Sequence, residues 1–193
     1  MIRPRRLAGL AAVVAVGLAC GGPSLPLLGV VPGFTLVERS GRPFSDADVR
    51  GHVWIADFIF TRCPDVCPLL TKRMAEVQAA LAKAPTPVTL VSISVDPAHD
   101  TTAVLQEYAI RHGAGPGWMF LTGERDRVAH LLTDGFHVAF GDDGPAAGPL
   151  THSDRFVLVD GRLRIRGYYH GNDPDDVRRL IDDANALAKA PDA

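Results

Sequence analysis

The apolar run at residues 53–60, followed closely by two cysteines, constrains the fold more than any other feature of the chain. Seven of its eight residues are apolar, which is typical of a strand buried on both faces of a sheet. Cys63 and Cys67 stand four residues apart where a helix is expected to begin. If they form its opening turn, both thiols share one helix face, and the positive end of the helix dipole favours thiolate. Such a pair suits a dithiol metal site or a reversible disulfide, and a structural disulfide is the simpler alternative.

Strand and helix patterns alternate along the rest of the chain. Apolar and β-branched runs predict further strands at residues 34–37, 40–44, 88–95, 118–121, 156–159 and 163–169. Helical periodicity and capping residues predict helices at about 68–83, after Asp100 or Thr101, at 124–133 and from Asp173-Pro174 onward. This order predicts an α/β domain with a mixed central sheet flanked by helices.

The predicted helix at 68–83 has a clear buried face. Leu70, Met74, Val77 and Leu81 recur at helical spacing. We therefore interpret Met74 as a core residue rather than as a copper ligand.

The first twenty residues have the pattern of an export signal. Three arginines precede an apolar segment at residues 7–19, which is too short to span a bilayer and ends at Cys20. The run Gly17-Leu18-Ala19-Cys20 resembles a bacterial lipoprotein box, in which the cysteine is acylated and becomes the first residue of the mature chain. The alternative is an ordinary signal peptide cut nearby, with Cys20 incidental. We expect a signal peptide at 1–19, a lipid-anchored linker at 20–32 and one domain at 33–193.

Charge and cysteine content limit the possible functions. The formal net charge of −2 gives no electrostatic footprint for nucleic acid. Removing residues 1–19 deletes three arginines and no acidic residue, which brings the formal charge to −5. With Cys20 assigned to lipid, the three cysteines of the chain leave one pair in an oxidising compartment.

Three motifs resemble the Sco/SenC family of membrane-anchored, copper-binding assembly factors for cytochrome c oxidase. They are Cys63-Pro64-Asp65-Val66-Cys67-Pro68, Val95-Asp96-Pro97 with Asp100-Thr101 following, and His152-Ser153 before the strand at 156–159. The resemblance implies a thioredoxin-like fold. It also implies a bacterial cell membrane location with the domain facing the periplasm or the cell exterior, and the copper-bearing oxidase subunit or another periplasmic copper or thiol protein as partner.

The resemblance further implies that Cys63, Cys67 and His152 bind copper together. Two thiolates and an imidazole suit Cu(I), and the same set with an added ligand can hold Cu(II). The residues alone do not select His152, because six other histidines have an equal claim on composition. Asp96 and Asp100 have two interpretations: caps of a turn and of the next helix, or a supporting or docking surface near the copper loop.

Asp57, inside the predicted buried strand, favours a different function. Thioredoxins carry an Asp-Phe pair at this same offset before their cysteines, and there the buried acid shuttles a proton during disulfide reduction. A buried carboxyl without a partner is costly and tends to titrate high, so Asp57 is a candidate proton shuttle. The alternative function is therefore a thiol-disulfide oxidoreductase in which Cys63 attacks and Cys67 resolves. A copper or redox sensor without transfer activity is a third interpretation.

Overall fold

The computed structural model describes residues 25–63, 66–84, 86–138 and 153–189, with the backbone alone described at Val66 and Cys67. The predicted signal peptide, Cys20, the loop at 142–149 and His152 lie outside these ranges. Within the described residues, eight strands and four α-helices form an α/β fold around one mixed sheet, as predicted. No helix in this part of the chain has the length and apolar character that crossing a bilayer requires.

The elements follow one another in an order close to the predicted one. The strands are β1 (Gly29–Val30), β2 (Thr35–Glu38), β3 (Pro43–Ser45), β4 (Trp54–Ile59), β5 (Thr89–Ser94), β6 (Trp118–Thr122), β7 (Arg155–Val159) and β8 (Arg164–His170). The helices are α1 (Val66–Leu81), α2 (Thr102–Arg111), α3 (Arg125–His130) and α4 (Pro174–Ala188).

The sheet runs in the order β1-β8-β7-β4-β5-β6-β2-β3. Strands β4, β5 and β6 are parallel, whereas the remaining pairs are antiparallel. The carboxyl ends of β4 and β5 therefore meet at one edge of the sheet. Because β7 runs antiparallel to β4, the beginning of β7 lies at this edge as well. This edge, which we call the cysteine edge, is the one from which the chain continues to Cys63.

Strand β4 occupies the centre of the sheet and all six of its residues are buried, as its apolar sequence predicts. One face packs into a cluster with the stripe of α1 at Leu70, Met74, Val77 and Leu81. Met74 has no exposed surface, in agreement with its prediction as a core residue. The opposite face packs into a second cluster that includes Val128, Leu131 and Phe136. The centre of the sheet is therefore covered on both sides.

The structure differs from the boundaries predicted from sequence in several places. Helix α1 begins at Val66, so Cys63 lies before the helix and not within its opening turn. Helix α3 ends at His130 and continues as a wider π-helical turn, Leu131–Gly135. Gly29–Val30, inside the segment predicted as linker, pairs with β8. A strand of two residues is too short to have an alternating pattern that sequence can reveal.

Candidate functional site

The two cysteines lie close to the start of α1, Cys63 in the connection from β4 and Cys67 inside the helix. Cys63 is 7% exposed and belongs to the buried cluster that contains Phe58, Phe60 and Val95. Its backbone N–H donates to the Phe60 carbonyl at 3.2 Å, which closes a tight turn after β4. Cys67 is the second residue of α1. The junction thus places one cysteine just before a helix N-terminus and the other within its first turn.

A buried carboxylate holds the segment that leads to Cys63. Asp100 has no exposed surface, and its Oδ1 accepts a hydrogen bond from Thr61 Oγ1 at 2.6 Å. The Thr61 backbone N–H donates to the same carboxylate at 3.2 Å from Oδ2 and 3.4 Å from Oδ1. Ser94 Oγ donates to Oδ2 at 2.6 Å. Three donors from two segments therefore converge on Asp100.

A second acid binds the residue next to Thr61. The Arg62 guanidinium lies 2.5 Å from Asp96 Oδ2, and the Asp96 backbone N–H donates to Ser94 Oγ at 3.0 Å. The hydrogen bond and the charge of Asp96 raise the pKa of Arg62. Helix α2 is capped by Thr101, whose hydroxyl accepts from the Val104 N–H. The side chains of Asp96 and Asp100 therefore bind the two residues before Cys63, and Thr101 rather than Asp100 caps α2.

Asp57 is buried in the centre of β4, as the sequence predicts, and only 1% of its surface is exposed. Its Oδ1 accepts from Ser92 Oγ at 2.5 Å, and Ser92 Oγ in turn accepts from Trp118 Nε1 at 2.8 Å. Its Oδ2 is buried and has no hydrogen-bond partner among the side chains and backbone that the structure describes. Burial raises the pKa of Asp57 to about 7, against the lowering effect of the Ser92 hydrogen bond.

The direction in which Asp57 faces follows from strand alternation. Ile55 and Ile59, two residues away on either side, belong to the cluster that contains the α1 stripe. Cys63 belongs to the cluster on the opposite face. Asp57 therefore lies on the face of the sheet that is covered by α1. This is the helix that carries Cys67.

Ser92 and Trp118 were not among the predicted site residues. The signal for Ser92 was present, because Ser92 and Ser94 interrupt the apolar residues of the buried strand β5. Ser92 binds Asp57, 35 residues earlier in the chain, and Ser94 binds Asp100, 6 residues later. The parallel pairing of β4 with β5 is what brings Ser92 and Asp57 together.

The segment that follows His152 is tied to the end of β8. The Gly171 N–H donates to the Asp154 carbonyl at 2.7 Å, and the Asp154 carboxylate lies 2.8 Å from His170 Nδ1. Because β7 begins at Arg155, these contacts lie at the cysteine edge. His99, in the turn after β5, lies toward this edge as well and is exposed. Among the described side chains, no three His, Cys, Asp or Glu residues form a group that could hold a metal ion.

A central mixed sheet, flanking helices and a cysteine segment at the carboxyl end of a buried strand define a thioredoxin-like domain. The family model for SCO1/SenC matches residues 27–189. The chain belongs to the SCO1/SenC family.

Solved structures agree with this assignment. The SCO1/SenC family lipoprotein from Bacillus anthracis is 31% identical, with a TM-score of 0.75 over 83% of this chain and 95% of that one. BsSco, a member of the Sco family of cytochrome c oxidase assembly proteins in which a disulfide switch was identified, is 28% identical with a TM-score of 0.73 over 82% and 93%. Copper-bound Arabidopsis thaliana ScoI is 26% identical with a TM-score of 0.68 over 82% and 98%.

Proposed function

We propose that this protein is a membrane-anchored metallochaperone that binds copper through Cys63, Cys67 and His152. Its cargo would be delivered to the copper-bearing subunit of cytochrome c oxidase. The observation that carries the proposal is the cysteine edge itself. There the carboxyl end of β4 leads to Cys63, the first turn of α1 carries Cys67, and the start of β7 follows His152.

The donor types fit copper. Thiolates are soft ligands that favour Cu(I), and an imidazole completes a three-coordinate set that can accept a further ligand for Cu(II). Asp100 and Asp96 hold Thr61 and Arg62, the two residues before Cys63. Outer contacts of this kind orient a ligand segment before the metal arrives.

Location and partner follow from the family and from the N-terminus. A related protein of the family is a lipoprotein, and another is a member of a group of oxidase assembly proteins. We propose that Cys20 carries the lipid and that the domain faces the periplasm or the cell exterior. Another periplasmic copper or thiol protein is the second possible partner.

A Cu(I) competition titration against a chelator tests the copper site in the reduced mature chain. Cys63→Ser and Cys67→Ser should each weaken binding strongly, and His152→Ala should weaken it less, because thiolate is the softer ligand. His99→Ala is the matched control, since His99 is an exposed histidine on the neighbouring turn. Unchanged affinity in both cysteine variants would overturn the proposal.

A second function, thiol-disulfide oxidoreductase, is favoured by Asp57. In that reaction the Cys63 thiolate attacks a disulfide of the partner, and one partner sulfur leaves as a thiolate. The Cys67 thiolate then attacks Cys63 in the mixed disulfide and releases the second partner sulfur. The chain is oxidised to the Cys63–Cys67 disulfide, and the partner is reduced by two electrons and gains two protons.

Asp57 would serve the second step of this reaction. Cys67 must lose its proton before it can attack. Asp57 lies on the α1 side of the sheet, and its buried Oδ2 accepts no hydrogen bond from the described residues. A carboxyl with a pKa of about 7 can exchange a proton in either direction near neutral pH. Stopped-flow reduction of a model disulfide by the reduced chain tests this function. No reduction above the rate of a Cys63→Ser variant would exclude it.

A further inference from the structure

Three of the five large apolar side chains that the described structure exposes lie within four residues of one another. They are Leu27, Leu28 and Val30, with exposed fractions of 63%, 46% and 57%. Single exposed apolar residues are ordinary on protein surfaces, but a cluster of them marks a surface that contacts something. The cluster lies at β1, which forms one end of the sheet.

The segment that carries these three exposed side chains is bound to the domain by backbone hydrogen bonds. The Leu28 and Val31 N–H groups donate to the Ile165 and Leu163 carbonyls at 2.9 and 2.8 Å. Arg166 donates to the carbonyls of Leu25 and Pro26, and Val31 is 1% exposed. The backbone is thus fixed against β8 while the three apolar side chains remain in solvent.

The neighbouring strand supplies positive charge. Arg162, Arg164 and Arg166 lie at alternate positions along the start of β8 and the turn before it, and Val30 pairs with Arg164. Asp160, which has no exposed surface, lies 2.7 Å from Arg164 and 2.9 Å from Arg166. Arg164 and Arg166 thus share the single negative charge of Asp160, which leaves this pair of β8 arginines with a net positive charge.

The chain length between this surface and the predicted anchor is short. Cys20 precedes Leu27 by seven residues, which span about 25 Å at most when fully extended. A lipid on Cys20 would keep the β1 end of the sheet close to the bilayer. Apolar side chains flanked by arginines match the boundary between acyl chains and anionic headgroups.

We propose that Leu27, Leu28 and Val30, with the arginines of β8, form a surface that rests on an anionic bilayer and orients the anchored domain. This inference depends on the lipid anchor of the proposed function but not on its copper site. Contact at β1 leaves the rest of the domain turned away from the lipid tails and accessible to a partner.

Quenching by brominated lipids tests the surface on the full lipidated chain in vesicles. Leu28→Trp adds an indole at the surface, and Ile110→Trp adds the matched control on α2, where Ile110 is 67% exposed. The native Trp54 and Trp118 are fully buried and provide a constant background. The added indole at 28 should lose about half or more of its emission in brominated vesicles, as expected for a side chain at the acyl boundary. The indole at 110 should lose none.

Several results would overturn the inference. They are an unquenched indole at 28, equal quenching at 28 and 110, or a mature chain without lipid on Cys20. Quenching that survives the removal of anionic lipid would overturn the role of the arginines. Cross-links between two chains at residue 28, without quenching, would show that a second copy covers the surface. Cu(I) affinity is measured on the same Leu28→Trp preparation and should be unchanged. This measurement distinguishes a failure of the membrane surface from a failure of the copper site.

Discussion

Thr61 donates its hydroxyl to Asp100 at 2.6 Å, across 39 residues of sequence. The Thr61 backbone N–H donates to the same buried carboxylate. This contact joins the segment before Cys63 to the turn after β5, and so links the cysteine position to the rigid centre of the sheet.

Asp100→Ala should weaken both the fold and the copper site. It leaves the partly buried donors of Thr61 and the buried hydroxyl of Ser94 without their acceptor, which should lower the free energy of unfolding by about 2–4 kcal/mol. Loss of an outer contact should reduce Cu(I) affinity by about tenfold to a hundredfold. Urea unfolding and chelator competition measure the two effects.

Arg62→Ala is the matched control for Asp100→Ala. Arg62 is 60% exposed, so water and salt should screen its ion pair with Asp96 and its loss should change the stability much less than the loss of Asp100 does. Equal losses of stability in the two variants would show that burial of Asp100 is not what holds the segment.

Asp57→Asn should separate copper binding from disulfide reduction. Asp57 lies inside β4 and on the face opposite the cluster of Cys63, so Cu(I) affinity should barely change. If the chain reduces disulfides, the exchange rate near neutral pH should fall by about tenfold to a hundredfold, as for the loss of a general acid-base group. A fall in copper affinity with exchange untouched would assign Asp57 to the metal site or to the fold.

Asp57 should also make stability depend on pH. Its pKa is raised from 3.8 to about 7, so the folded chain retains a proton that the unfolded chain releases. The stability associated with the neutral carboxyl is therefore complete below pH 3.8 and is lost as pH rises through about 7. Relative to Asp57→Asn, the wild type should lose up to about 4 kcal/mol between pH 4 and pH 8. Urea unfolding of both proteins across this range measures the difference, and parallel profiles would contradict the buried, raised carboxyl.

Ser92→Ala should raise the pKa of Asp57 further. The Ser92 hydrogen bond lowers that pKa, so its removal should shift the pH profile of disulfide exchange upward. Ser94→Ala is the matched control, because Ser94 lies on the same strand but donates to Asp100. An identical shift in both variants would rule out a specific effect of Ser92 on Asp57.

Cys20→Ala should abolish lipid attachment. Two acyl chains hold a protein on a membrane where one gives only marginal binding, so the wild type should fractionate with membranes. The variant should accumulate as an uncleaved or differently cleaved chain. Intact mass of both proteins is the measurement, and a wild type without lipid on Cys20 would contradict the anchor.

Local patterns in the sequence were enough for most of the elements. The apolar run of β4 required a buried central strand, and the stripe from Leu70 to Leu81 required an amphipathic helix. Burial confirms both. The strands predicted at 156–159 and 163–169 are β7 and β8, which pair with each other in the sheet. Each of these signals lies within a few residues of the structure that it specifies, because side-chain periodicity and turn geometry are local properties.

Which polar residues meet depends on the order and register of the strands. The sequence allowed Asp100 or Thr101 to cap α2. Thr101 caps it, and Asp100 turns instead to Thr61. Asp57 needed a partner, and the register of β4 against β5 supplied Ser92. Local sequence patterns were sufficient to predict the α/β class and the position of two cysteines after a buried strand. The choice of partners depended on sheet order and register, which bring together residues 35 and 39 positions apart and which no local pattern encodes.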